Sequence, residues 1–172
     1  MPDTSNRWTR LLRHRWHDDA EARRLLDDAA LDRLQQRIEA SERRHSGEIR
    51  LCIEAALPLA ELWRGTAARE RALALFGQLG VWDTEFNNGV LIYLLLAEHA
   101  IEIVADRGVD RLVPAGHWAA VTQHMAAAFR DGRFEAGLMA AIEAVEATLL
   151  QQFPLAAGAG DANELADRPL RL

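Results

Sequence analysis

The sequence predicts an α/β fold, in which a mixed β-sheet of three to four strands is flanked by helices on both faces. The residues from Glu48 to Glu54 alternate apolar and polar side chains, as a half-buried strand does. The turn signal 87–89 precedes an apolar run at 90–97 and an alternating segment at 101–106. Two strands joined as a hairpin are the natural interpretation of this stretch. Helical patterns surround these strands, so we expect helices to cover the sheet.

The order of the elements predicts the directions of the strands. A helix connects the strand at 48–54 to the strand at 90–97, and a right-handed crossover should therefore make these two strands parallel. The strand at 90–97 is apolar on both faces, which favours a central position. The strand at 101–106 alternates, which favours a half-exposed position beside it. A tight polar turn at Glu98-His99 should join the last two.

Apolar residues spaced three and four positions apart predict the helices. The first covers Asp27 to His45, and the second runs roughly from Leu59 to Leu79, with Gly80 as its C-cap. Two further helices are joined at Asp131-Gly132, and Pro154 ends the last one. The apolar stripe of the first of these two helices is formed by Trp118, Val121, Met125, Ala128 and Phe129. That of the second is formed by Phe134, Leu138, Ala141, Ile142, Val145 and Leu149.

Composition excludes several classes of protein. A formal net charge of -6 argues against a nucleic-acid binder, which would carry a basic face. A single cysteine, Cys52, excludes an internal disulfide framework and a cysteine-rich zinc site, and its apolar neighbours predict a core position. The N-terminus has no apolar signal-peptide region, and the run at 90–97 is too short to span a bilayer. We therefore expect a soluble, cytoplasmic protein without a transmembrane segment.

Both termini differ from the predicted domain at 20–154. In residues 1–19, four arginines interleave with Trp8, Leu11, Leu12 and Trp16, a spacing typical of a short helix with a basic side. This basic arm could lie on an anionic membrane or bind a partner, pack on the domain or on a second subunit, or be disordered. Residues 155–172 show no periodicity and many small side chains, which predicts a disordered tail.

Polar residues stand at both outer ends of the hairpin, and these ends should meet at one edge of the sheet. The candidate ligands of a hard cation, Ca²⁺ or Mg²⁺, are Asp83, Glu85, Asn87, Asn88 and Asp106, with Asp110 nearby. Glu48 joins them if its strand is parallel to the neighbouring one. The alternative is structural: the asparagines shape the turn, and Asp106 and Arg107 form an ordinary ion pair.

If the edge hydrolyses phosphate esters, Asp106 is the first candidate catalytic residue. Arg107 would clamp the phosphate, and the metal would act as a Lewis acid and activate the attacking water. The sequence has no GxxxxGK[ST], GxSxG or CxxC motif. His117 and His124 lack a third ligand at useful spacing, and His14 and His17 lie on the arm beside Asp18 and Asp19. We expect both pairs at the surface.

Several short motifs occur in an order that resembles a known family. They are Gly47-Glu48-Ile49, Arg71-Ala72, Phe76, Val81-Trp82-Asp83-Thr84, Asn88-Gly89-Val90-Leu91-Ile92, Ile101-Glu102-Ile103-Val104, Phe129-Arg130-Asp131-Gly132-Arg133-Phe134 and Gly137-Leu138. Together they resemble the TPM domain family, over about residues 28–153. Many members carry Gly-Tyr-Gly-Leu-Glu after the third strand, where this chain has residues 105–110 of a different sequence. Most also carry a signal peptide and a membrane anchor, so the chain looks like a divergent soluble branch.

The resemblance leads to two interpretations of what this chain does. Acid phosphatase activity, divalent-metal binding and a role in assembling membrane complexes have been proposed for the family. The first interpretation is an interaction or accessory module of a membrane-associated system, with a membrane protein or an anchored TPM-like protein as its partner. The alternative is a metal-dependent acid phosphatase that uses the edge near Asp83, Asn87, Asn88 and Asp106.

Overall fold

The structure is a computed structural model that describes residues 9–12, 14, 19–155 and 163–172. Its strands are β1 (Glu48–Glu54), β2 (Gly89–Leu95), β3 (Ala100–Ala105) and β4 (Leu170–Arg171). Its helices are α1 (Asp19–Leu25), α2 (Asp28–Glu42), α3 (Leu59–Arg64), α4 (Ala68–Gln78), α5 (Arg107–Asp110), α6 (His117–Arg130) and α7 (Phe134–Gln152).

The strands of the described residues form one mixed sheet in the order β3-β2-β1-β4. β1 runs parallel to β2, with Glu48 opposite Gly89. β3 runs antiparallel to β2, with Ala105 opposite Val90, and β4 runs parallel to β1. The predicted parallel crossover and the central position of β2 are confirmed. All residues of β2 are buried because both of its faces and both of its edges are covered.

Helices cover both faces of the sheet, as predicted. On one face, α1, α2, α6 and α7 pack against alternate residues of the strands, among them Leu51 and Ile92. On the other face, α3 and α4 pack against Cys52 and Tyr93. Cys52 is fully buried, so its predicted place in the core is confirmed. Burial also raises the pKa of the Cys52 thiol to about 12, which keeps it protonated and unreactive.

The predicted helix at 59–79 is two helices in the structure. Gly65 ends α3 with a φ of 79°, a left-handed conformation that side chains other than glycine rarely adopt. α4 then starts after Ala67, whose backbone N–H donates to the Glu70 carboxylate at 3.0 Å. Apolar periodicity continues across this break, which is why the pattern by itself suggested one helix.

The connection between β2 and β3 is less polar than predicted. The chain passes through a 3₁₀ turn, Leu96–Glu98, in which Leu96 and Ala97 are buried. His99 then adopts a φ of 49°, and its backbone N–H donates to the Leu96 carbonyl at 3.0 Å. The apolar run therefore reaches past the end of the strand because the turn itself packs on the domain.

The predicted disorder of the tail is wrong for residues 163–172. Leu170 and Arg171 pair with Cys52 and Ile53 of β1, and the side chains of Leu165 and Leu170 pack against the α4 side of the sheet. Two leucines among small and polar residues are too weak a pattern to predict a strand, but the open edge of β1 provides a partner for them. Residues 156–162 lie outside the described residues.

None of the helices in the described ranges has both the length and the apolar character needed to cross a membrane.

Candidate functional site

The polar edge predicted from the hairpin lies where β1 and β2 begin and β3 ends. Backbone hydrogen bonds bring these three segments together. The Asp106 N–H donates to the Gly89 carbonyl at 2.8 Å, so the end of β3 meets the start of β2. The Glu48 N–H donates to the Asn88 carbonyl at 3.4 Å, so the start of β1 meets the same point. Glu48, Asn88 and Asp106 therefore lie side by side along the edge that the hairpin pattern indicated.

A glycine holds two loops of this edge in close contact. An added Cβ on Gly108 would lie 2.3 Å from the Asn87 carbonyl oxygen and 2.8 Å from that of Phe86. Carbon and oxygen cannot approach so closely, so position 108 excludes any side chain in this arrangement. Asn87 itself has a φ of 52°, which asparagine tolerates better than most residues. The sequence Asn87-Asn88-Gly89 therefore shapes the turn, as one part of the structural alternative predicted. The other part, an ion pair of Asp106 with Arg107, is not found among the described residues, where Asp106 accepts the backbone N–H of Arg107.

Asn88 is a buried polar residue with one unsatisfied atom. Its side-chain nitrogen donates to the Ser46 carbonyl at 2.6 Å, and its backbone N–H donates to the Thr84 hydroxyl at 3.0 Å. The side-chain oxygen Oδ1 is buried and has no hydrogen-bond partner among the described residues. A buried oxygen of this kind is costly unless a donor or a cation satisfies it.

Asp106 has one carboxylate oxygen in use and one that is not. Oδ1 accepts the backbone N–H of Arg107 at 2.6 Å and caps α5. Oδ2 is buried and, within the described part of the chain, has no partner. Two buried oxygens without donors, one on Asn88 and one on Asp106, therefore belong to the same sheet edge.

The other predicted ligands are placed less favourably. Asp83, Glu85 and Asn87 are exposed on the loop, and Arg107 and Asp110 are exposed on α5. Glu48 is buried, but its carboxylate accepts the backbone N–H groups of Glu164 and Leu165 at 3.2 Å each. In the described ranges, no three His, Cys, Asp or Glu side chains are grouped so that they could hold a metal ion. The Ca²⁺ or Mg²⁺ site and the catalytic roles of Asp106 and Arg107 stay predictions.

An acidic group beside Glu48 was not predicted from the sequence. Glu42, the last residue of α2, accepts the Ile49 N–H at 2.8 Å, and its carboxyl lies close to Asp167 of the tail. Burial, with the charges of Glu48 and Asp167, raises the pKa of Glu42 to about 9, so this carboxyl is protonated at neutral pH. Glu42 and Asp167 lie 125 positions apart in the chain, and no local pattern could have paired them.

A second group of buried polar side chains lies on the face of the sheet that α4 covers. Arg71 donates from two nitrogens to the Glu54 carboxylate, with the shortest contact at 2.7 Å, and the Tyr93 hydroxyl donates to the same carboxylate at 2.6 Å. Burial and the neighbouring Glu54 raise the pKa of Tyr93. The carboxylate is fully engaged by these donors, which indicates a structural role.

The described part of the arm packs against the far end of the sheet. His14 is buried, contrary to the surface position predicted for it, and its Nδ1 accepts the Leu57 N–H at 3.0 Å. Nε2 must then carry the proton, and it donates to Glu98 at 2.9 Å. Arg10 donates to the same carboxylate at 2.6 Å. Residues 9–12 and 14 of the arm pack on the domain, which is one of the alternatives predicted for this segment.

This packing leaves an apolar surface exposed. An open groove of about 600 Å³ is formed where the arm meets α3. We name this surface the arm–α3 patch, and its apolar members are Leu11, Leu12, Leu57, Leu59, Leu62 and Trp63. Leu12 is 54%, Leu59 69% and Trp63 63% exposed. The other predicted histidines do not contribute to it: His117 contacts the Thr148 hydroxyl at 3.0 Å, His124 is exposed on α6, and His17 lies outside the described residues.

A model of the TPM domain matches residues 20–148 of this chain. The chain belongs to the TPM domain family. As a TPM-family protein it is similar in structure to the BA42 protein of the psychrophilic bacterium Bizionia argentinensis, with 26% identity and a TM-score of 0.71 over 83% of this chain and 92% of that one. The N-terminal domain of a protein from P. gingivalis shares the fold, with 22% identity and a TM-score of 0.61 over 77% and 83% of the two chains. The search of curated proteins found no match to this TPM-family chain.

Proposed function

We propose that this TPM-family protein is an accessory module that docks on an anionic membrane surface through the arm–α3 patch. The observation that carries the proposal is the exposure of Leu59 and Trp63 beside Leu12 in one open apolar groove. A contiguous apolar surface of this kind typically marks an interaction site. Leucine and tryptophan are also the side chains that amphipathic segments place in the boundary between lipid headgroups and acyl chains.

The basic residues in the sequence of the arm favour anionic lipid. The arm carries Arg7, Arg10, Arg13 and Arg15, although the chain as a whole has a net charge of -6. Arg64 is exposed at the end of α3, next to Trp63, and pairs with Glu61 at 3.0 Å. Basic residues near a bilayer that contains anionic headgroups each contribute about 1 kcal/mol of attraction. An apolar patch that includes part of a basic stretch of sequence therefore suits an anionic membrane surface better than a neutral soluble partner.

Vesicle binding tests this proposal. The full chain should sediment with vesicles that contain phosphatidylglycerol and much less with vesicles of phosphatidylcholine alone. The L59D/W63D variant should lose binding by about tenfold or more, because it places two charges in the headgroup boundary. The matched control is L112D. Leu112 is 49% exposed and is not one of the residues that form the arm–α3 patch. Equal losses in both variants, or no binding to either vesicle, would remove the proposal.

The role within a membrane-associated system, the anchored partner and the cytoplasmic location all belong to this proposal. A TPM-family chain that docks reversibly can act beside an anchored relative. The test above addresses the surface itself, on which these further statements depend.

The second candidate function is divalent-cation binding at the sheet edge, and the two unsatisfied oxygens favour it. Asn88 Oδ1 and Asp106 Oδ2 are oxygen donors of the kind that Ca²⁺ and Mg²⁺ prefer. They would hold the ion with oxygens from the exposed loop, where Asp83 and Asn87 are available. A bound cation supplies Lewis-acid charge, and the exposed Arg107 could bind a phosphate group.

Thermal unfolding with and without Ca²⁺, Mg²⁺ and Mn²⁺ tests this second candidate. A cation that binds the folded chain should raise the midpoint, and D106N should abolish the rise. Asparagine is as good an N-cap as aspartate, so this variant keeps the cap of α5 and loses the charge. If millimolar metal leaves the midpoint unchanged, the cation function is wrong. If metal binds but D106N still hydrolyses a phosphate ester at the wild-type rate, the catalytic role of Asp106 is wrong.

A further inference from the structure

The open edge of β1 is covered by the last ten residues of the chain, which we name the C-terminal strap (residues 163–172). β4 pairs in parallel with Cys52 and Ile53. The Ala55 N–H donates to the Leu172 carbonyl at 3.1 Å, and the Leu172 N–H donates to the Ile53 carbonyl at 2.8 Å. The strand ladder of the strap is therefore short and lies at its C-terminal end.

The first half of the strap is held through its backbone. The Glu48 carboxylate accepts the N–H groups of Glu164 and Leu165 at 3.2 Å each. The Arg50 guanidinium donates to the carbonyls of Ala166 and Arg168, at 2.8 Å for the latter. Two side chains of β1 thus bind two backbone donors and two backbone acceptors of the strap, which bends at Leu165 and Arg168. These groups belong to the backbone, so any segment that follows the same bent path offers them, and this part of the recognition does not depend on side chains.

Side chains of the strap add a sequence preference. Leu165 and Leu170 are partly buried against the apolar cluster on the α4 side of the sheet. Arg171 donates to the Leu26 carbonyl at 2.7 Å and lies 3.4 Å from the Asp28 carboxylate. The edge of β1 therefore accepts two apolar side chains five positions apart, followed directly by an arginine.

We propose that this edge of β1, from Glu48 to Ala55, is a docking site for a segment of a partner protein, and that the C-terminal strap occupies it in cis. The partner segment runs parallel to β1 and carries the leucine-x₄-leucine-arginine pattern of the strap. Addition of a strand to an exposed sheet edge is a common mode of peptide recognition, in which the backbone supplies affinity and alternate pockets supply specificity. The proposal goes beyond both functions above, because it uses neither the arm–α3 patch nor a cation.

Competition with the strap sets the strength of this docking. The strap is tethered, so its effective concentration at β1 is on the order of millimolar. Its own ladder is only two residues long, and so short a pairing is marginal by itself. A partner segment with a longer ladder along Glu48–Leu51 would make contacts that the strap lacks and could displace it.

Peptide binding to the full chain tests the proposal. The probe is a fluorescent peptide of residues 163–172, and the protein is the L165S/L170S variant, in which the strap remains attached but loses its apolar contacts. We expect this variant to bind the peptide about tenfold or more tightly than the wild-type chain, whose strap competes. A peptide with serine at both leucine positions should bind weakly. Adding E48Q and R50A to the variant should reduce its affinity for the unmodified peptide.

Three outcomes would overturn the proposal. A folded L165S/L170S variant that fails to bind the peptide would show that the edge does not accept a segment in trans. Equal binding to the wild-type chain and the variant would place the peptide elsewhere. A variant that forms stable dimers in sedimentation would make a second copy of the chain the occupant.

Hydrogen exchange in the wild-type chain keeps the proposal testable if the variant does not fold. The amide protons of Leu165 and Leu172 are held by contacts to β1, and they should be protected about tenfold or more weakly than the Leu91 amide in the sheet centre, because the strap opens without global unfolding. Equal protection at these positions would mean that the strap opens only with the whole domain, which contradicts the proposal.

Discussion

Burial decides the protonation state of Glu42, the last residue of α2. Glutamate is ordinarily a surface residue. The Glu42 carboxyl lies between the charges of Glu48 and Asp167 and accepts the Ile49 N–H, and its pKa is raised to about 9 from a usual 4.5. The folded chain therefore keeps a proton that the unfolded chain releases between these two values. Stability from this group must fall as pH rises through that window.

The first prediction concerns this proton. The free energy of unfolding of the wild-type chain should fall between about pH 5 and pH 9, at up to about 1.4 kcal/mol per pH unit from this group. The E42Q variant keeps a neutral side chain that can donate to Asp167, so its pH dependence should be flatter. Urea unfolding at several pH values measures both slopes. Parallel curves for the two proteins would show that Glu42 ionises normally.

The second prediction concerns the close approach at Gly108. G108A places a methyl group against the carbonyl oxygens of Asn87 and Phe86, so it should destabilise the chain by about 1–3 kcal/mol, as overpacking does. The control is G77A within α4, where an added Cβ meets nothing within 4 Å. That change should be neutral or stabilise the chain by up to about 1 kcal/mol, because alanine favours helix. Thermal or urea unfolding compares the two, and a harmless G108A would contradict the described loop contact.

At the scale of elements, the buried group on β1, β2 and α4 ties the sheet to one helix layer. Glu54 at the end of β1 is engaged by Arg71 of α4 and by Tyr93 of β2. A buried carboxylate without its cation is costly, whereas the loss of one neutral donor is a smaller change. The arginine should therefore matter more than the tyrosine hydroxyl.

The third prediction follows from this difference. R71A should destabilise the chain by about 3–5 kcal/mol, because it leaves the Glu54 carboxylate buried without a cation. Y93F should cost about 1–2 kcal/mol, because Arg71 still satisfies the carboxylate. R133A is the control, since the Arg133–Asp131 pair is exposed on both sides and should contribute at most about 1 kcal/mol. If Y93F is as harmful as R71A, the hydroxyl and not the ion pair dominates the group.

Most of the helices and strands were predictable from the sequence. Each one that the prediction missed has a specific physical cause. The strand at Glu48–Glu54 has the predicted bounds, and β2 is central because its apolar run has no polar face. The break at Gly65 was missed because apolar spacing continues through it. β4 was missed because two residues carry too little periodicity to signal a strand. The sequence predicted where the candidate site lies, because the register of the hairpin decides which strand ends meet. It did not predict the contacts that Glu48 makes.

At the scale of the whole molecule, the two ends of the chain pack at different places. The described arm residues contact Glu98 and Leu57 at one end of the sheet. The C-terminal strap contacts Glu48 at the opposite end, and through Glu164 it also accepts the Glu85 N–H of the loop at 3.0 Å. The strap therefore links β1 to the loop of the candidate edge.

The fourth prediction is that the domain survives without the strap. A chain that ends at Leu155 should keep its far-UV circular dichroism and unfold cooperatively, because the larger core cluster lies on the other face of the sheet. Its stability and its denaturant m-value should both fall, since the strap covers Leu165, Leu170 and the edge of β1. Loss of cooperative unfolding would show that the strap is an obligatory part of the core.

The sequence by itself determined the order of strands and helices, the parallel pairing of β1 and β2, and the edge where the polar ends of the hairpin meet. These follow from local periodicity and from the handedness of the crossover, which neighbouring residues encode. Only the tertiary structure decided that Glu48 binds the strap, that Glu42 keeps its proton and that His14 is buried. Glu48 and Leu165 lie 117 positions apart, and such contacts depend on which distant groups share a water-poor space. Burial, and the charge that it suppresses or pairs, is a property of the folded chain.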